Sequence, residues 1–234
     1  MKKYQLFLAV LLLLQTIACG NKKTEAPASE APEWVGTIDV DNVSLSEQRA
    51  LFVSARNSEA NVKNLPFGFK TGMTLNEFLQ HMVTLHQHGI AYKVDAENEE
   101  VEDTTVIPGK TFTANDFAVR DTIESYTHYM RLSPFFENDK LFSLSYKVRK
   151  TKANESGNQD LDIFSLFFFK MYTDGNYRLT RTDLGNGNRA YIAFNGNMVV
   201  NYVYDPNDSY YIMQFQDLPL VSEEDFQQVL KMFD

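Results

Sequence analysis

Asn195-Gly196, set between the runs Arg189–Phe194 and Met198–Tyr204, constrains this chain more than any other dipeptide. A tight two-residue hairpin needs positive φ at both central positions. Asn-Gly supplies it at the lowest steric cost, so two antiparallel strands are predicted here. Asp205-Pro206-Asn207-Asp208 turns the chain again into Tyr210–Gln216, and Gly185-Asn186-Gly187-Asn188 precedes the pair, after Tyr177–Thr182. A glycine-rich phosphate cradle needs backbone N–H groups focused by a helix start. Strands flank Gly185–Asn188 on both sides, so it reads as a hairpin turn.

An earlier set of strand-like segments comprises Ala91–Val94, Lys110–Phe112, Phe117–Arg120, Ser125–Leu132 and Leu141–Arg149, with Glu137-Asn138-Asp139-Lys140 as a hairpin loop. In the last of these, Phe142, Leu144, Tyr146 and Val148 alternate with Ser143, Ser145, Lys147 and Arg149. Such alternation predicts a sheet with one buried side and one wet side.

Helices separate the strand sets. Thr74 and Glu77 form a capping box, and Leu75, Phe78, Leu79, Met82 and Leu85 recur at helical spacing until Gly89, which predicts a helix over 74–88. Asp160 is a predicted N-cap for a helix over 161–172, through Leu161, Phe164, Leu166, Phe167, Phe168 and Met171. That helix is apolar nearly all round and needs cover on more than one side. Ser222 and Asp225 start a closing helix, 222–233, with Phe226, Val229, Leu230 and Phe233 inward. A short strand in Trp34–Val43 and a helix over Leu45–Arg56, capped by Ser44, precede all of these. The fold class is α+β, with two helix-plus-antiparallel-sheet halves (65–150 and 160–234) in one domain, 34–234.

Burial alone must hold that domain. Cys19 is the only cysteine, so no intramolecular disulfide can form. The hydrophobic content of 44%, with 13% aromatic residues, is that of a globular chain. The net charge of −9 repels nucleic-acid phosphates, and no cluster along the sequence offsets it, so nucleic-acid binding is disfavoured.

The first residues read as a processing signal. Lys2 and Lys3 precede an apolar run, Leu6 to Leu14, followed by Thr16-Ile17-Ala18-Cys19-Gly20. A secretory signal peptide has this order, and the run is shorter than the roughly 20 residues of a membrane span. The cysteine after a small residue resembles the lipobox of bacterial lipoproteins. The resemblance implies a diacylglycerol on Cys19, removal of residues 1–18, and an exported protein held to the cell envelope by its lipid, at the outer membrane and facing the periplasm or the surface. Residues 19–33 then form the lipidated cysteine and a flexible tether rich in Ala, Pro, Glu, Lys and Ser.

Three further pieces, in order, are similar to uncharacterised lipoproteins of Bacteroidetes: Leu65-Pro66-Phe67-Gly68 with Gly72-Met73-Thr74 and Glu77, Lys170 to Gly175, and Ile212 to Leu218 with Asp217. The fold implied is the helix-plus-antiparallel-sheet unit of β-lactamase-inhibitor proteins and outer-membrane-assembly lipoproteins. A binding or scaffolding role is implied with it, and no catalytic residue carries over. Asp103-Thr104-Thr105 and Asp121-Thr122-Ile123 resemble the O-glycosylation acceptor of Bacteroidetes exported proteins, which nominates Thr104 and Thr122; ordinary turn chemistry is the alternative.

No cofactor or metal is expected. His81 and His88 share a helix face but stand seven residues apart, about 10.5 Å along the axis, too far to chelate one ion. Asp205, Asn207 and Ser209 begin like a calcium loop, yet Tyr210 stands where glycine is needed and Gln216 where glutamate is needed. The chain lacks a nucleophile elbow, and His128 has no identifiable nucleophile partner. The feature that points to binding is the tyrosine content of the last two strands, Tyr202, Tyr204, Tyr210 and Tyr211, because tyrosine is enriched where a surface is alternately wet and covered. Three functions are compatible, in this order: a lipid-anchored binding or scaffolding module that meets another envelope protein through its sheet; a small-molecule or glycan-binding lipoprotein with an aromatic-lined cleft; and a hydrolase.

Overall fold

The computed structural model describes residues 40–94, 101–102, 117–123, 126–149, 176–185, 188–205 and 210–233. Cys19, the tether, the strand at Lys110–Phe112 and the helix at 161–172 lie outside them.

Ten strands form one sheet: β1 (Asp41–Asn42), β2 (Ala91–Val94), β3 (Val101–Glu102), β4 (Phe117–Ile123), β5 (Tyr126–Glu137), β6 (Lys140–Arg149), β7 (Arg178–Gly185), β8 (Asn188–Asn195), β9 (Met198–Asp205) and β10 (Tyr210–Asp217). Their order is β1-β7-β8-β9-β10-β6-β5-β4-β2-β3, antiparallel except for β1 beside β7. The two expected halves are thus joined edge to edge, β10 against β6 in register from Tyr210↔Arg149 to Gln216↔Ser143.

Among the described residues, three helices pack on the sheet. Helix α1 (Leu45–Arg56) starts at Ser44, where Glu47 completes a capping box that the sequence reading overlooked. Helix α2 (Leu75–Gln87) starts at the expected Thr74–Glu77 box, and α3 (Glu223–Leu230) is capped by Ser222 and runs into a 3-10 turn, Lys231–Phe233. In both boxes the backbone N–H and the hydroxyl of the cap donate to the glutamate, which holds the Glu47 and Glu77 carboxyls below their usual range. Leu75 departs from the expected apolar stripe. It is 41% exposed at the first helical position, while Phe78, Met82 and Leu85 are buried.

The helices cover opposite faces. On the α2 face a continuous core runs from Ala91, Val119 and Met130 through Leu144, Tyr146 and Phe215 to Val200, Ala193 and Leu179. On the other face α1 and α3 cover the β7–β9 end, where Phe52, Val229 and Leu230 meet Ile192, Phe194 and Val199. Phe52 stands edge-on to Phe194 at 5.4 Å and lies 5.3 Å from Phe233. Arg56 ties the two helices together: its guanidinium donates to the carbonyls of Leu218 and Val221 and lies 5.1 Å from the centre of the Phe226 ring.

Strand β5 extends past its expected end at Leu132 to Glu137, through Pro134. Pro134 pairs with Leu144 of β6, and among the described residues no strand pairs on its other side, which suits a proline. Just beyond, the pairing jumps from Phe135↔Ser143 to Phe136↔Leu141, leaving Phe142 as the extra residue of a bulge. The bulge overturns part of the expected alternation. Leu141 joins Leu144 and Tyr146 on the α2 face, and Phe142 packs with Phe135 in the α1/α3 cluster.

Candidate functional site on the sheet

Residues paired directly across a sheet share one side of it, so the register converts scattered sequence positions into rows. On the α1/α3 face, one row runs Ser133–Ser145–Gln214–Asn201–Ile192–Thr180 across β5, β6, β10, β9, β8 and β7. The row on one side of it runs Phe135–Ser143–Gln216–Val199–Phe194. The row on the other side runs Tyr92–Ala118–Arg131–Lys147–Ile212. The helix-covered end of this face is mainly apolar. Across β10, β6 and β5 the same rows carry Gln214, Gln216, Ser143, Ser145, Ser133, Lys147 and Arg131.

The expectation of a wet side for β6 fails here. Ser143 is 0% exposed, Ser145 2% and Gln214 4%, so these side chains lie under cover on this face and not at a wet surface. Asn201 Nδ2 donates to Gln216 Oε1 at 2.9 Å. Ser143 Oγ has no hydrogen-bond partner among the described residues, an unfavourable state for a buried hydroxyl.

Two other buried polar groups do structural work. Asn197, next to the Asn195-Gly196 turn, accepts from Val62 N at 2.6 Å and donates to Val62 O and Asp217 Oδ1, and Asp217 Oδ2 accepts from Thr71 at 2.7 Å. This set clamps the 58–72 segment onto the end of the sheet. The fit is tight enough that a Cβ at Gly196 would stand 2.5 Å from Ala60 Cβ. Beneath α1, Gln48 Oε1 accepts from Thr180 and Thr182, while Thr180 also donates to Ile192 O at 2.8 Å. One hydroxyl hydrogen cannot serve two acceptors fully. The inverted amide, with its nitrogen toward both threonines, is the better assignment.

The nominated tyrosines do not form one patch. Tyr202 is 5% exposed within the α2-face core, which removes it from a surface role: Val200 and Met213 beside it belong to that core too. Tyr204 pairs with Tyr211 in the register, on the side of Tyr202 and Met213, whereas Tyr210 pairs with Asp205 and Arg149 on the opposite side. The side chains of Tyr204, Tyr210 and Tyr211 lie outside the description. Thr122 sits in β4 opposite Thr127, beyond the β2 pairing, and not in a turn; Thr104 is outside the described residues.

Each histidine of α2 is tied to backbone. His81 Nε2 bonds to Phe67 O at 2.8 Å, His86 Nδ1 to Ala91 O at 2.9 Å, and His88 Nδ1 to Thr84 O at 2.7 Å. His81 also stands edge-on to Phe69 and lies 3.3 Å from where a Cβ on Gly68 would be. It fixes the Pro66–Gly68 turn, in which Phe67 holds a left-handed φ of 61° and Pro66 O accepts from Tyr146.

Of these polar residues Ser133, Asn201, Arg131 and Lys147 are half-exposed, while Ser143, Ser145, Gln214 and Gln216 are buried. Sequence reading missed this set because its members come from separate strands, and only the register of β4–β5–β6–β10 aligns them. Among the described residues, no helix is long and apolar enough to cross a membrane. Compared with family models, curated proteins and solved structures, the chain matches none.

Proposed function

We propose that the chain is an exported lipoprotein, anchored to the cell envelope through a lipid on Cys19, that works as a non-catalytic binding module through its antiparallel sheet. The leader and its cysteine support the anchoring. The observation that carries the binding role is half-exposed Ser133 and Asn201 at the two ends of the lane Ser133–Ser145–Gln214–Asn201, whose middle members are buried, on a face whose other end is packed with apolar side chains. Burying hydroxyls and amides adds little to stability compared with apolar packing, and such departures from an apolar core concentrate at functional sites. An envelope protein is one occupant of such a surface. A glycan is the second, favoured by the uncharged hydroxyl of Ser133 and amide of Asn201.

The test has two parts. Metabolic labelling with an alkyne fatty acid should mark the full chain and spare Cys19→Ala, which should move from the membrane to the soluble fraction; equal labelling of both would remove the anchor. Photo-cross-linkers placed at half-exposed Ser133 and Asn201, in cells, should each capture the same envelope component, and one at exposed Glu224 should not. Adducts identical at all three positions would count against a site on the sheet.

A further inference from the structure

The link between the two halves of the sheet is under a topological constraint. Strands β6, β10, β9, β8 and β7 are neighbours in that order, each antiparallel to the next, so β6 and β7 run the same way. Residues 150–177 must therefore carry the chain from the end of β6 back to the start of β7, and they exceed the dozen residues that a parallel crossover needs. Such crossovers are right-handed in about 98% of cases, because a right-twisted strand feeding a right-handed helix packs back onto the sheet only that way.

Hydrogen bonds fix which face that hand selects. On an upward strand of L-residues, a side chain pointing at the viewer sends its own N–H and C=O to the viewer's right. Arg181 pairs with Tyr191, and through it with Tyr202, on the α2 face; its carbonyl accepts from Val43 N on the β1 side of β7. Seen from the α2 face with β6 upward, the order β6-β10-β9-β8-β7-β1 thus runs from left to right. Arg120, next to the α2-face residue Val119 and so turned to the other face, donates its backbone N–H to Ile90 O on the β2 side of β4, which gives the same direction. A right-handed crossover that steps rightward passes in front of this viewer, over the α2 face.

Packing agrees with the topology. On the opposite face α1 and α3 already occupy β7–β9, and beyond them the floor is polar, with Ser143, Ser145 and Gln214. On the α2 face the floor of β8, β9 and β10 is Ala193, Val200, Tyr202 and Met213, all buried. The described helix on that face, α2, packs next to β2 and sets Phe78 against Phe136 of β5. Strand β5 is four strands from β8, about 19 Å at the usual spacing, which leaves room for a second helix at an interaxial distance of about 8–10 Å. The stretch from Leu161 to Met171, with Phe164, Leu166, Phe167 and Phe168, is the part of the connection apolar enough to cover such a floor. We infer that residues 161–172 pack on the α2 face over Ala193, Val200, Tyr202 and Met213. Each half of the chain then sets one helix on this face. A partner of the sheet is left the α1/α3 face, where Ser133 and Asn201 are half-exposed. The inference goes beyond the binding role and does not depend on it.

Site-specific photo-cross-linking of the purified full chain in detergent tests it. Benzoylphenylalanine replaces Phe164, Phe167 and Phe168 one at a time, which keeps an aromatic ring at each position, and adducts are located by peptide mass spectrometry. These positions should be joined to residue 191, 193, 200, 202 or 213 of the same molecule. A reciprocal probe at half-exposed Tyr191 should capture 161–172, and one at half-exposed Asn201, on the opposite face, should not. Neighbouring strand residues point to opposite faces, so the position of each adduct reports the face. Adducts to residue 192, 194, 199 or 214, capture from Asn201 instead of Tyr191, adducts only between molecules, or none to the sheet would each overturn the inference. The Tyr191 and Asn201 probes leave 161–172 unaltered, so a misfolded variant in that stretch does not leave the question open. Failure here is also separate from failure of the binding role, which is read from cellular adducts at Ser133 and Asn201.

Discussion

The two ends of the α1/α3 face are built on the same rows of the same sheet and have opposite chemistry. At one end Ile192, Phe194 and Val199 meet Phe52, Val229 and Leu230. One to three strands away, in register, stand Gln216, Gln214, Ser143 and Ser145, as buried as their apolar counterparts. Depth in the sheet therefore does not determine residue type on this face. The apolar end is where α1 and α3 are held, and the polar end is chemistry that packing alone does not require. Stability should respond to substitution at the first end and hardly, or even favourably, at the second.

The largest expected effect is Phe52→Ala. Removing a fully buried ring that touches Phe194 and Phe233 should cost about 3–5 kcal/mol in denaturant unfolding. A cost below about 1 kcal/mol would mean that the helices do not depend on this end of the sheet. Gly196→Ala comes next. The added Cβ would stand 2.5 Å from the Ala60 Cβ at a residue with a positive φ of 56°, so about 1–3 kcal/mol should be lost as the 58–62 segment is pushed off the turn.

At the polar end the sign reverses. Ser143→Ala deletes a buried hydroxyl with no partner among the described residues and should leave stability unchanged or raise it by about 1 kcal/mol. A clear loss would show that this hydroxyl is engaged in the folded protein and would weaken the contrast between the ends.

The smallest effect distinguishes helices rather than sheet ends. Glu47 and Glu77 have folded-state pKa values lowered by hydrogen bonds from Ser44 and Thr74. A carboxylate lowered in this way stabilises the fold fully above its unfolded value, about 4.3, and that contribution is lost as pH falls through the folded value. Glu77→Gln and Glu47→Gln should each lower stability slightly at neutral pH and leave it nearly unchanged at low pH, so that the acid limb of stability against pH flattens. A parallel shift of the whole curve would assign the glutamates a role other than capping.

Much of the fold was legible in local pattern. Ser44, Thr74 and Ser222 mark their helix starts because capping is decided within four residues, and the turns at Asn195-Gly196 and 185–188 mark their hairpins for the same reason. Pattern failed where partners come from elsewhere. Pro134 is a strand residue because β6 pairs with it, and Phe142 changes sides because of a bulge that no periodicity announces. Ser143 and Ser145 are buried although alternation sets them opposite the α2-face core, because the cover over a sheet face comes from residues elsewhere in the chain.

The sequence by itself determined the α+β class, the caps, the hairpins and the absence of any intramolecular disulfide, since each depends on neighbouring residues or on a count. Only the tertiary structure decided that the two halves share one sheet through β6 and β10, that the helices cover opposite faces, and that Ser133, Ser145, Gln214 and Asn201 stand in one row. Those outcomes depend on strand order and register, which are set by contacts between residues far apart in the chain.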